Sequence, residues 1–192
     1  MTPGQENGNG GELFRDKVHA DEFVTLGRAE LAAEVGAASA EHLIAVSDEG
    51  ITRLAASDTA AILLPGVSFF LMLDKRAPAR RLIDAGAAVA LATDFNPGSS
   101  NLSSMLFVLQ LGVFTLGMTV EEAVNACTGN AAYAVGRHGT VGSLEPGKKM
   151  DLLLCDIPDH VSLAYDAGRN PVRTVIKNGR VVVEDGRRVA AR

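Results

Sequence analysis

Residues 87–100 read AAVALATDFNPGSS, an apolar run from Ala87 to Thr93 that stops at Asp94 and passes into Phe95–Asn96–Pro97–Gly98–Ser99–Ser100. A short unbroken apolar run closed by a turn sequence has the form of a strand buried on both faces. Working back from it, comparable runs begin near residues 17, 38 and 59: Lys17–Val18–His19–Ala20, then Ala37 to Leu43, then Thr59 to Leu64 ending at Pro65–Gly66. Helical signals fill the gaps. Arg28 to Val35 sets Leu31 and Val35 one turn apart, with Gly36 as a stop. Ser47 is an N-cap for a helix that turns Ile51 and Leu54 to the core. Pro78 to Ala85 forms a further helix stopped by Gly86, and a long apolar helix follows from about Ser103 to Leu116. Strand starts roughly 20–30 residues apart, alternating with helices, are the pattern of repeated βα units on a parallel sheet.

Downstream the texture changes. Thr119 with Glu122 three residues later is a capping box, opening one helix or two that end by Gly136. From Gly142 the pattern is β, with runs Asp151 to Cys155, Arg173 to Lys177 and Arg180 to Val183, and Asn178–Gly179 is a hairpin turn between the last two. The expected division is a disordered leader over residues 1–16, four βα units over 17–140 and a small β subdomain over 141–192.

Composition sets the class. The 192 residues are 47% hydrophobic and 21% charged, enough apolar material for a sizeable core. A net charge of −5 without a basic run speaks against nucleic acid or an anionic membrane as partner. Apolar stretches are broken short of the roughly 20 residues a membrane span needs. Cys127 and Cys155 cannot make a disulfide framework and read as small core residues. With no signal-peptide pattern, a soluble cytoplasmic chain is expected.

Chemistry concentrates where the strands end. The first run passes into His19–Ala20–Asp21–Glu22, the second ends in Glu41–His42 and the fourth in Asp94. In βα barrels the strands' C-terminal ends carry the reactive groups. A lone histidine there is more often structural. Two at matching ends, with an aspartate, point instead to a divalent metal beside an acid/base.

Several ordered motifs resemble one family. Val18–His19–Ala20–Asp21–Glu22–Phe23 resembles the fifth-strand signature of the imidazolonepropionases, metal-dependent amidohydrolases of histidine degradation. Ser39–Ala40–Glu41–His42–Leu43 is similar to the sixth-strand segment, where Asp is commoner than Glu41. Leu63–Leu64–Pro65–Gly66 matches the seventh, and Ala92–Thr93–Asp94–Phe95–Asn96–Pro97–Gly98–Ser99–Ser100 matches the eighth. Asn130–Ala131–Ala132–Tyr133–Ala134, Gly142–Ser143–Leu144–Glu145–Pro146–Gly147 and Asp151–Leu152 resemble the following helix and returning β-sandwich.

The resemblance implies an α/β fold: the C-terminal half of a (β/α)8 TIM-type barrel, strands 5 to 8, plus part of a β-sandwich. It implies His19 and Asp94 as ligands of one Zn2+ or Fe2+, and Glu22 and His42 as catalytic groups. Substrate would lie against Glu22, Asn96, Gly98 and Ser99. The implied reaction hydrolyses the cyclic amide of 4-imidazolone-5-propanoate to N-formimidoyl-L-glutamate. The family's first-strand His-x-His pair is absent; the remaining histidines are His138, near a helix end, and His160, in a loop. The ligand set is therefore incomplete, and the partner is either a second copy or a missing N-terminal half. Two other readings stand beside this one: a non-catalytic remnant or barrel-completing subunit, and a related deaminase of the same superfamily. The Asn–Pro–Gly–Ser–Ser run argues against the deaminase.

Overall fold

The computed structural model describes residues 16–189, so the expected leader, Asp16 apart, lies outside the described residues. Two sheets organise the rest. The first is parallel, with strands in sequence order: β1 (Lys17–Ala20), β2 (Ser39–His42), β3 (Ala60–Leu63) and β4 (Val89–Leu91). Register runs Lys17 to Ser39, Ser39 to Ala60 and Ala61 to Val89. Every residue of β2, β3 and β4 is buried, which is why those runs carry no polar alternation.

Side-chain alternation splits this sheet into two faces. Ala20, Ala40, Ala61, Leu63, Val89 and Leu91 point to the helices and form the main core with them. Those helices are α1 (Arg28–Glu34), α2 (Asp48–Ala55), α4 (Ala79–Asp84), α5 (Met105–Leu116) and α6 (Val120–Cys127). The opposite face carries Lys17, His19, Ser39 and Glu41 on the first two strands, in register with one another. On β3 and β4 it turns apolar, where Ala60, Ile62 and Ala90 pack with Val67 of α3 (Pro65–Phe70) and Ala134 of α7 (Gly129–Ala134).

Local signals work as the sequence suggests. Ser47 Oγ accepts from Gly50 N at 2.8 Å, and Ile51 and Leu54 are buried. Thr119 and Glu122 form both halves of the capping box. The run after Thr119 is two helices, broken at Thr128 where ψ is −86°. One face differs. Leu31 and Val35 lie 51% and 59% exposed, while α1 buries Ala29 and Ala32. Small side chains let α1 sit close on the sheet, and the larger ones fall on its outer flank.

The second sheet is antiparallel, in the order β5 (Leu152–Cys155), β6 (Val172–Lys177), β7 (Arg180–Glu184), β8 (Arg187–Arg188). Asn178 and Gly179 have φ of 50° and 75°, the left-handed pair a tight hairpin requires. No residue of these four strands is buried. A short helix, α8 (Ser162–Tyr165), lies between β5 and β6; Gln110 of α5, almost fully buried, donates to Leu163 O at 2.9 Å and holds that segment to the first unit. No helix among the described residues is long and apolar enough to cross a membrane.

Candidate active site

The ends of β1, β2 and β4 bring the expected residues together. His42 closes β2 with φ of 70°, and Asp94 follows β4 with φ of 46°. Side chains other than glycine avoid this left-handed region at a cost of about 1–3 kcal/mol, and such strain gathers at functional sites. At His42 its effect is visible. Strict alternation would send the ring to the helix side with Ala40, yet His42 Nε2 lies 3.0 Å from Nδ1 of His19, which belongs to the other face.

Glu22 completes the group, with Oε1 3.5 Å from His42 Nδ1. His42 is 3% exposed, and burial pulls its imidazole below the usual value against the opposing pull of the Glu22 and Asp94 carboxylates. Glu41 and His19 also act on its charge, so three carboxylates and a second imidazole surround one ring. His42 Nδ1 is buried without a hydrogen-bond partner, and the tautomers decide which of the facing nitrogens, His19 Nδ1 or His42 Nε2, donates to the other.

Asp21, the residue between His19 and Glu22 that sequence reasoning left without a role of its own, holds this arrangement in place. It is 1% exposed, and its carboxylate accepts from Leu26 N at 2.7 Å and Ala29 N at 3.1 Å. Gly27 offers α1 no side-chain cap, so Asp21 caps the helix from a distance and fixes the loop carrying Glu22. A second support runs beneath the histidines. Lys17 Nζ donates to Ser39 Oγ at 3.1 Å and to Ala134 O at 3.2 Å, and Ser39 donates to Glu41 Oε1 at 2.5 Å. Glu41 Oε2 is buried without a partner. Ser39 and Glu41 share a face as i, i+2 neighbours on β2, but only cross-strand register sets Lys17 beside Ser39, and spacing along the chain does not reveal that contact.

The loop after Asp94 is braced by its own side chains. Asn96 Oδ1 accepts from Gly98 N and Ser99 N, both at 2.8 Å, and Nδ2 donates to Asp94 O at 2.7 Å. Its amide is thus engaged within the loop, and it shapes the backbone beside Asp94. Ser100 Oγ donates to Thr93 O at 2.8 Å, and a Cβ at Gly66 would meet that hydroxyl at 3.0 Å. Glycine there lets the start of α3 close against the loop.

As a metal centre the group is partial. The imidazole of His19 and the oxygens of Asp94 are donors of the kind a divalent ion takes. Among the described residues, however, no group of three or more His, Cys, Asp or Glu side chains is arranged to hold an ion. His160 is remote from this role, bonded to Glu121 Oε1 at 2.6 Å, and His138 lies against the Tyr133 ring. The cleft lined by Ser104, Phe107, Gln110, Arg169 and Asn170 includes none of the site residues.

A parallel βα sheet with His, Glu and Asp at its carboxyl ends defines a class. The model of the amidohydrolase family matches residues 20–182, and the chain belongs to that family. Within it, the curated relatives matched at high identity are imidazolonepropionases. The chain is 56% identical over 171 residues to that of Geobacillus kaustophilus and 52% identical over 166 residues to that of Porphyromonas gingivalis. These matches take in 89% and 86% of this chain but 40% and 39% of the relatives, so the chain spans about 40% of their length. Solved structures agree on the fold. A zinc-bound adenosine deaminase from Xanthomonas campestris superposes with a TM-score of 0.77 at 20% identity, over 92% of this chain and 47% of that one. A zinc complex of atrazine chlorohydrolase from Arthrobacter aurescens gives 0.70 at 21% identity, over 93% and 46%.

Proposed function

We propose that this chain is the C-terminal catalytic portion of an imidazolonepropionase, hydrolysing the ring amide of 4-imidazolone-5-propanoate to N-formimidoyl-L-glutamate. Residues 17–140 are then strands 5 to 8 and the helices of a (β/α)8 barrel, and residues 141–192 part of a β-sandwich. One observation carries the reading: His19 and Glu22 lie 3.0 and 3.5 Å from the buried imidazole of His42, and the Asp94 carboxylate from a third strand end acts on its charge. The identity of 50% and above to imidazolonepropionases selects this substrate over that of a deaminase, because the deaminase likeness rests on fold alone.

His19 and Asp94 are two ligands of one divalent ion, Zn2+ or Fe2+, with the remaining donors coming from outside this chain's own set. The ion supplies Lewis acidity at the carbonyl under attack. The residues here do the rest. Water adds to the ring carbonyl carbon, the C–N bond breaks, and one proton must travel from the water to the departing nitrogen. Glu22, a partly exposed carboxylate beside His42, takes and returns that proton. His42, its pKa lowered by burial, lies between Glu22 Oε1 at 3.5 Å and His19 Nδ1 at 3.0 Å and keeps the two in place. Asn96 holds the loop so that the Gly98 and Ser99 backbone faces the substrate.

The test is turnover of imidazolone-propanoate with Zn2+ or Fe2+. The protein to assay is this chain joined behind the portion of the Geobacillus kaustophilus relative that it does not match. Glu22→Gln should lower kcat about 100-fold or more, with the thermal midpoint preserved. A joined protein that folds, binds metal and shows no turnover would support the second reading, a non-catalytic or barrel-completing subunit. That reading is favoured by the lack of a three-donor group among the described residues.

A further inference from the structure

Two loops flank the His42 imidazole, residues 21–27 after β1 and 43–47 after β2, and both begin with backbone that L side chains avoid. Asp21 opens the first with φ of 47°. His42 and Leu43 lead into the second as consecutive left-handed residues, with φ of 70° and 59°. Such backbone persists only where the surroundings over-determine it. The left-handed turn is what takes His42 out of strand alternation, so whatever holds the turn decides where the imidazole stands.

The hold comes from across the seam between the loops. Leu43 is fully buried, and its N–H donates to Ala20 O at 3.1 Å. Ala45 N donates to Asp21 O at 2.7 Å, and Thr25 Oγ1 donates to Ala45 O at 2.6 Å. The Ala45 backbone is thus gripped at its N–H by one residue of the first loop and at its C=O by another. Strand register ends at Ala20 and His42, so these bonds carry the join past the ladder. Farther out, Ser47 donates to Glu30 of α1 and closes the same seam where the helices start. The Leu43 and Asp21 bonds are made by backbone and are indifferent to side-chain identity. The bond to Ala45 O depends on the Thr25 hydroxyl. Thr25 is exposed, so the core does not rest on it.

We propose that Thr25 is a positioning residue for Glu22 and His42: its hydroxyl fastens Ala45, holds the left-handed turn at His42 and Leu43, and so aims the imidazole at His19 and Glu22. Thr25 acts through the backbone and takes no part in the proton transfer. Its weight in catalysis rests on the hydrolase reading above, whereas the fastening of the turn does not, and the two are measured separately.

Thr25→Val removes the hydroxyl and keeps the branched shape, and Thr25→Ser keeps the hydroxyl. In the 192-residue chain, amide exchange at Leu43 and Ala45 should run about fivefold faster in Thr25→Val than in the parent, the worth of one hydrogen bond. The nuclear Overhauser contact between the His19 and His42 rings, whose centroids lie 5.1 Å apart, should weaken with it. Amides of β3 should be unchanged, and the thermal midpoint should stay within about 2 °C of the parent. In the joined protein, Thr25→Val should lower kcat about tenfold with KM within about twofold. Thr25→Ser should match the parent in every measurement. Unchanged exchange at Ala45 in Thr25→Val overturns the proposal, as does a serine variant that behaves like the valine one. Faster exchange with unchanged kcat overturns the positioning role. A loss carried by KM alone also overturns it, because Thr25 would then touch substrate. A joined parent without turnover removes the hydrolase reading, and exchange at Ala45 together with the ring contact then decides for or against the fastening.

Discussion

His42 combines a left-handed backbone, a buried ring and carboxylate neighbours, and each leaves a measurable trace. Its imidazole is held below the ordinary 6.5, so in the window beneath that value the unfolded chain binds a proton that the folded chain does not. Stability from this group is complete above 6.5 and is lost as pH falls toward the folded pKa. Thermal midpoints should therefore drop from pH 8 to pH 5 more steeply in the parent than in His42→Gln. At Asp21 the effect is mechanical. Asp21→Ala strands the amides of Leu26 and Ala29, and urea unfolding should show a loss of about 2–4 kcal/mol. Asp84→Ala, at an exposed surface pair, should cost under 1 kcal/mol. Burial pushes the Cys127 thiol up to about 12, so an alkylating reagent at pH 8 should label native Cys155 well before Cys127.

Among the elements, those with strong local chemistry were legible. Apolar runs closed by glycine or turn residues located β1 to β4 to within about two residues, the ordinary uncertainty of element ends. The Asn178–Gly179 turn and the Thr119 capping box were equally plain. Thr119→Ala should cost about 1 kcal/mol in thermal or urea unfolding. Glu122→Ala should cost more, because Glu122 also receives both guanidinium nitrogens of Arg80 at 2.9 Å. The helix α3 was missed because Pro65–Gly66 has the composition of a turn, although proline also suits the first position of a helix. For α1 the helix was legible and its buried face was not: periodicity favours Leu31 and Val35, while the distance between sheet and helix admits Ala29 and Ala32. The same limit applies to the site. His19, Glu22, His42 and Asp94 announce themselves at strand ends. The Lys17–Ser39 contact depends on register between strands and has no signature along the sequence, unlike the i, i+2 pair Ser39 and Glu41.

At the scale of the whole molecule the two sheets differ in kind. β2 to β4 are wholly buried, whereas β5 to β8 bury no residue and leave Leu153, Leu154 and Val181 exposed. Few buried apolar contacts mean a low free energy of local opening. Hydrogen exchange should show β6 and β7 amides opening well before those of β2 and β3. The parallel sheet has a further property, set by order in time. Its strands neighbour one another in the sequence in which a ribosome releases them, so each newly emerged strand finds its mate already outside the exit tunnel. The contact from Lys17 Nζ to Ala134 O spans 117 residues and escapes that rule. The ammonium on the first strand must wait through the synthesis of the other three and of most of the helices, making this bond a late fastening on a sheet laid down strand by strand.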